Sequence, residues 1–242
     1  MLTAPAKLTR SLQITGVRAD GFHLLDAEMV TIDLLDEIEL SPSEGELVVV
    51  QADTGEHLDL GPPEQNLARR ALLAVGRDRG ITVRKRIPAG AGLGGGSADA
   101  AAVLRWAGWT GTPDECERAA RLGADVPFCR VGGRARVTGI GEIVDPLPFL
   151  PLELTLVLPP FGCSTPAVYR RWDDLGGPTG DGPNDLEVAA LAVEPRLAEW
   201  RDRLGDATGR DPVLAGSGST WFVEGAFPGD DRVVVRTLPA PA

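Results

Sequence analysis

One segment restricts this chain more than any other: Gly90-Ala91-Gly92-Leu93-Gly94-Gly95-Gly96-Ser97. Five glycines in seven positions let the backbone turn left-handed and approach a ligand closely. The loop runs directly into Ser97 to Ala107, an alanine-rich stretch that reads as a buried helix capped by Ser97. Free N–H groups and the positive end of the helix dipole favour a phosphate at such a start. Ile81 to Ile87, just ahead of the loop, alternates as a strand. Strand, glycine loop and helix in this order commit the chain to a fold that contains both sheet and helix.

The loop fits neither of the two commonest phosphate cradles. Gly90, Gly92 and Gly95 satisfy the spacing of a dinucleotide fingerprint. The strand before them carries Arg84, Lys85 and Arg86, too much charge for the buried central parallel strand that such a unit needs. A Walker loop is excluded because the chain contains no Gly-Lys pair. A third type of phosphate cradle remains.

With 242 residues, 43% of them hydrophobic, the chain can bury a substantial core and is expected to build two abutting lobes. Its formal net charge of -11 argues against nucleic acid as a partner, since that needs a basic face. An anionic ligand must be held by local groups, because charges beyond about 8 Å are largely screened. No apolar run reaches the roughly 20 residues of a membrane span, and Met1 to Lys7 lacks the layout of a signal peptide. Cys116, Cys129 and Cys163 are odd in number and far apart, so neither a disulfide framework nor a metal cluster is indicated. The expectation is a cytoplasmic protein without membrane partners. Of 24 cationic residues only Lys7 and Lys85 are lysines, a hint that a compact ammonium matters at those positions.

Ala6 to Ile14 alternates as a strand with Lys7 and Thr9 on its polar side. Arg10 falls on the apolar side, so the strand is expected to end near there, with Arg10 pointing away from Lys7. Met29 to Leu40 and Glu46 to Gln51 read as further strands, and Asn66 to Arg79 as a helix with Asn66 as N-cap. Thr112-Pro113-Asp114-Glu115 is a capping box opening a helix to Leu122. A loop over Gly123 to Pro127 is expected to lead into a strand over Val131 to Thr138. Asn184 and Glu187 read as a second capping box, opening a helix that Pro195 interrupts. Strands around a glycine-serine turn close the chain. Mixed order of strands and helices favours an α+β fold. The proline cluster Pro146, Pro148 and Pro151 places the lobe boundary at 1–148 and 149–242, with the final strand free to rejoin the first lobe's sheet.

Pro88 through Ala98 resembles the phosphate loop of the GHMP kinases, the galacto-, homoserine, mevalonate and phosphomevalonate kinases. Pro5-Ala6-Lys7-Leu8, Arg18-Ala19-Asp20-Gly21-Phe22-His23 and Leu122-Gly123-Ala124-Asp125-Val126-Pro127 are similar to the branch acting on 4-diphosphocytidyl-2-C-methyl-D-erythritol. Ser164-Thr165-Pro166, Asn184-Asp185 and Ala215-Gly216-Ser217-Gly218-Ser219 follow in that family's order. The resemblance spans nearly the whole chain. It implies a two-lobed fold with the active site between the lobes, and ATP-dependent phosphorylation of a hydroxyl in the non-mevalonate isoprenoid route.

The resemblance also implies roles. Asp125 is the candidate base for the hydroxyl proton, and Lys7 the ammonium that favours the developing alkoxide. Pro88, Gly90, Gly92, Leu93, Gly94, Gly95, Gly96, Ser97 and Asn66 would hold ATP, with Mg²⁺ arriving on its phosphates. His23 would meet the edge of a cytosine, and Phe22 with Tyr169 would sandwich its ring. Thr9 stands where the family usually has Asn and cannot supply a carboxamide's donor and acceptor together, which puts a substrate contact there in question. Lys85 is expected only to solvate its strand. Two other readings stay open at this point: a GHMP kinase with another small-molecule acceptor, and a nucleotide-binding homologue without turnover. The sequence sets no oligomeric state.

Overall fold

The alternating N-terminal stretches form the spine of the molecule, and they are longer than the sequence pattern suggests. The computed structural model describes residues 1–180 and 182–241. β1 (Leu2–Val17) and β2 (His23–Ser41) make an antiparallel hairpin. β1 does not end at Arg10. Its register shifts between Thr9 and Ser11, which leaves Arg10 as the extra residue of a bulge. The bulge lets an arginine interrupt the apolar side of a strand without ending it. Its guanidinium ion-pairs with Glu28 and Glu224.

β3 (Leu47–Gln51) lies parallel to β4 (Gly80–Lys85), and β5 (Arg134–Gly139) pairs with β6 (Ile143–Leu147). In the second half β7 (Glu153–Val157), β8 (Val213–Leu214) and β9 (Trp221–Glu224) pair antiparallel. β10 (Val233–Leu238) meets β7 through Val233 to Arg236 and β2 through Thr237 and Leu238. The last strand thus joins the stretch after the proline cluster to the first hairpin. β2 carries β1 on one edge and β5, β10 and β4 in succession on the other. A mixed sheet with helices packed on it is the α+β arrangement expected.

Asn66 caps α1 (Leu67–Ala74) by accepting from the Arg69 N–H at 3.1 Å. α1 stops five residues before Arg79. Gly76, at φ 67°, closes it, with Gly76 N–H on Leu73 O and Arg77 N–H on Leu72 O, each at 3.0 Å. α2 (Gly95–Trp106) is buried from Ser97 to Leu104 and packs on α1 and β1. Its run of alanines is what allows that close approach. The capping box at Thr112 starts α3 (Pro113–Ala120) as the sequence indicates.

Past α3, a helical turn replaces the end of the expected loop and the start of the expected strand. α4 (Val126–Val131) forms because Pro127 in its first turn fixes a helical φ. Gly132 and Gly133, both at positive φ, then turn the chain into β5. α5 (Thr165–Asp174), α6 (Glu187–Val193) and α7 (Leu197–Thr208) complete the fold, with Pro195 in the gap between the last two. Among the described residues no helix is long and apolar enough to cross a membrane.

Candidate active site

A cleft of about 430 Å³ opens where β1, the glycine loop, α4 and the Gly216 turn meet. Lys7 is its floor. The side chain is 6% exposed, and its Nζ donates to Thr9 Oγ1 at 3.0 Å and lies 3.4 Å from Asp125 Oδ2. Asp125 immediately precedes α4, yet its carboxylate accepts no capping bond from that helix. A turn aspartate that caps nothing is free to face the ammonium. Thr9, buried at 1% exposure, spends its hydroxyl on Lys7 and so fixes where the amine points.

The glycine loop is pressed onto this floor. The Lys7 N–H donates to Leu93 O at 3.1 Å, and a Cβ at Gly94 would lie 2.8 Å from Lys7 Cγ. A Cβ at Gly92 would lie 2.4 Å from Ala215 O, so only glycine lets the two turns touch there. Pro88, Gly90, Gly92, Leu93, Gly94, Gly95, Gly96 and Ser97 all line the cleft, as does Asn66. Ser97 is not the cap of α2. That place belongs to Gly94, left-handed at φ 67°, and Ser97 sits within the first turn. The left-handed glycine reverses the chain three residues before the expected cap. The first ladder bond is Ala98 N–H to Gly94 O at 2.8 Å, so the amides of Gly95, Gly96 and Ser97 precede it, and no side chain caps them. That leaves them for an anion.

The opposite wall comes from the second half of the chain. Thr165 and Ser217 share a hydroxyl hydrogen bond at 2.8 Å, and both line the cleft. A Cβ at Gly216 would stand 3.5 Å from Lys7 Nζ. Asn184 does not make the expected capping box: α6 begins after Leu186 with no side-chain cap. Its Nδ2 instead donates to Leu214 O at 2.8 Å and Gly216 O at 2.7 Å, holding the turn against Lys7. Its Oδ1 accepts from the Leu186 N–H at 2.9 Å, so one buried carboxamide joins the approach to α6 to the Gly216 turn.

His23 Nε2 lies 2.8 Å from Asp173 Oδ1, and its ring stands 4.8 Å from Tyr169 and edge-on to Trp172 at 5.5 Å. Tyr169 lines the cleft together with Asp125; burial raises its pKa, and the charge of Asp125 raises it further. Phe22 stands apart from Tyr169. It is 57% exposed, packs on the Arg18 guanidinium, and lines the neighbouring hollow with Arg18 rather than the cleft. Trp172 and Asp173 went unread in the sequence, although Trp172 follows Tyr169 by one helical turn.

Residues 66–133 match the GHMP kinases N terminal domain. A 4-diphosphocytidyl-2-C-methyl-D-erythritol kinase of Ruegeria pomeroyi is 40% identical, covering 94% of this chain and 88% of its own length. One from Paracoccus denitrificans is also 40% identical, over 90% and 84%. The chain belongs to the 4-diphosphocytidyl-2-C-methyl-D-erythritol kinase family. A crystal structure of 4-(cytidine 5'-diphospho)-2C-methyl-D-erythritol kinase superposes with a TM-score of 0.73 at 32% identity, covering 97% of this chain and 98% of that one.

In this kinase the second lysine corrects the sequence reading. Lys85 does not solvate its strand. It is 6% exposed, and its Nζ donates to Asp36 and, at 2.9 Å, to Asp99 Oδ2. Burial alone would lower the ammonium's pKa; the charges of Asp99 and Asp36 outweigh it and raise the pKa. Burial pushes Asp99 up to about 6 against the pull of Lys85, and the Asp36 charge adds to the rise. The only cations among the described residues lining the cleft are Lys7 and Lys85, with no arginine beside them. Where a side chain must pass beneath a backbone of glycines, the slimmer ammonium is the cation that fits.

Proposed function

We propose that the chain transfers the γ-phosphoryl group of ATP to a hydroxyl of 4-diphosphocytidyl-2-C-methyl-D-erythritol, giving the 2-phosphate and ADP. The observation that carries this reading is the Lys7–Asp125 pair, 3.4 Å apart at the foot of a glycine loop that opens onto a helix N-terminus. Asp125 takes the hydroxyl proton while the oxygen attacks phosphorus and the bond to the β-phosphate oxygen breaks. Lys7, held by Thr9, supplies positive charge to the oxygen as it loses that proton. The amides of Gly95, Gly96 and Ser97 would receive phosphate oxygens. Beside this pair, His23 with Tyr169 would receive the cytosine, while Phe22, turned to the neighbouring hollow, takes no part in it.

Mg²⁺ fits this site as a visitor on the nucleotide. An ion that keeps its waters and binds through phosphates would enter with the nucleotide and need no ligand set of the protein's own. Ser97 is the hydroxyl that the helix N-terminus would offer to it. When bound, the ion neutralises charge on the transferring group.

A panel of acceptors with ATP tests the reading. Turnover with the CDP-linked methylerythritol, and a new phosphomonoester signal in ³¹P NMR of the product, is the expected result. Turnover only with homoserine or a mevalonate derivative would refute it.

A further inference from the structure

Lys85, Asp36 and Asp99 form a buried cluster directly beneath the glycine loop, and the reaction described above does not use it. Asp36 on β2 is fully buried and accepts through Oδ1 from the Arg86 N–H at 2.6 Å and the Ile87 N–H at 2.9 Å. Those are the two residues before Pro88, where the loop begins. Asp99 lies on α2 just past the loop's end and is 3% exposed. Lys85 Nζ binds both carboxylates, and a Cβ at Gly95 would lie 3.0 Å from it. One ammonium therefore ties together the strand entering the loop, the helix leaving it, and β2 behind both. Asp99 Oδ1 has no hydrogen-bond partner among the described residues, although it is buried. A structural core gains nothing from two carboxylates, one amine and an unpaired oxygen, since apolar residues of similar volume would serve stability as well or better. Both Lys85 and Asp99 also line the cleft.

We infer that Lys85, Asp36 and Asp99 are positioning residues that hold the loop in the shape that receives nucleotide phosphates, so that nucleotide affinity, and not affinity for the cytidine end, depends on the cluster. This rests on the reading of the loop as the nucleotide site. Asp99→Ala leaves Lys85 paired with Asp36 and removes only the tie to α2. Asp99→Asn keeps an acceptor for Lys85.

The test is calorimetric titration of the whole chain with ADP and, separately, with CDP. In Asp99→Ala the ADP affinity should fall at least tenfold while CDP affinity stays within twofold. Asp99→Asn should restore ADP affinity to within threefold of the wild type, and KM for ATP should move where KM for the acceptor does not. If Asp99→Ala does not fold, Asp99→Ser, whose hydroxyl is too short to reach Lys85, gives the same comparison. Wild type that binds ADP together with a folded variant that binds it equally well overturns this inference alone, as does an equal loss for ADP and CDP. Wild type that binds CDP and no ADP overturns the reading of the loop, and this inference with it.

Discussion

Replacing Lys7 separates the charge of this residue from its shape. At an effective dielectric constant of about 20, two unit charges 3.4 Å apart attract by roughly 5 kcal/mol. Asp125 keeps a side-chain exposure of 32%, so water screens part of that attraction in the resting state. The loss expected in the transition state is nearer the ~3–4 kcal/mol of a missing oxyanion donor, about 10²–10³ in kcat. Lys7→Met keeps the apolar stem under Gly94 and leaves Asp125 partly solvated, so the variant should fold. Its kcat should drop by that factor in a coupled ADP-release assay, with KM for ATP changed by no more than about threefold. Lys7→Arg keeps the charge, but its planar fork must enter a space where Gly94 has no room even for a Cβ. It should lose at least about tenfold in kcat by the displacement of a reacting group. A folded Lys7→Met with kcat within fivefold of wild type would refute the assignment. Lys7→Arg at wild-type rate would refute the steric argument for a lysine.

His23→Ala removes the ring that packs on Tyr169 and Trp172, and the partner of Asp173. CDP affinity should weaken by about 1–3 kcal/mol, the scale of a lost hydrogen bond plus a lost aromatic contact, while ADP affinity holds; equal CDP binding in calorimetry would reject the pocket. Asp99 gives a pH signature. Its folded pKa of about 6 lies above the unfolded value of 3.8, so between those values the native state binds more protons and stability falls as pH rises. Wild type should lose up to roughly 3 kcal/mol between about pH 4 and 7 relative to Asp99→Asn in urea unfolding, with no further loss above that range. Parallel pH curves for the two proteins would contradict this.

Local chemistry made much of the fold legible. The Asn66 cap, the Thr112 capping box, the glycine loop and its helix all announce themselves within a few neighbouring residues, and the structure keeps each of them. Polar residues whose partners are remote were misread. Lys85 looked like a charged strand residue because its partners stand 49 and 14 positions away, and no spacing rule brings them together. Asn184 has the pattern of a helix cap, but its amide serves a turn 30 residues on. α4 is only six residues long and begins with a valine and a proline, so it read as loop. Arg10 broke an alternation that a bulge restores, and a bulge leaves no mark in the sequence of one strand alone. In the site, the resemblance to known kinases carried Lys7 and Asp125. The geometry adds what orients them: Thr9 on the amine, Asn184 behind the turn, and a helix start that leaves the Asp125 carboxylate uncapped.

The most direct test concerns the proton acceptor. Asp125→Asn keeps the size and polarity of the side chain but cannot take the hydroxyl proton at neutral pH. In single-turnover quench experiments with ATP and the CDP-linked methylerythritol, it should bind both substrates within about threefold of wild type. Transfer itself should slow by about 10²–10⁴, the span of general-base contributions. A folded Asp125→Asn that transfers the phosphoryl group within fivefold of the wild-type rate would contradict the account.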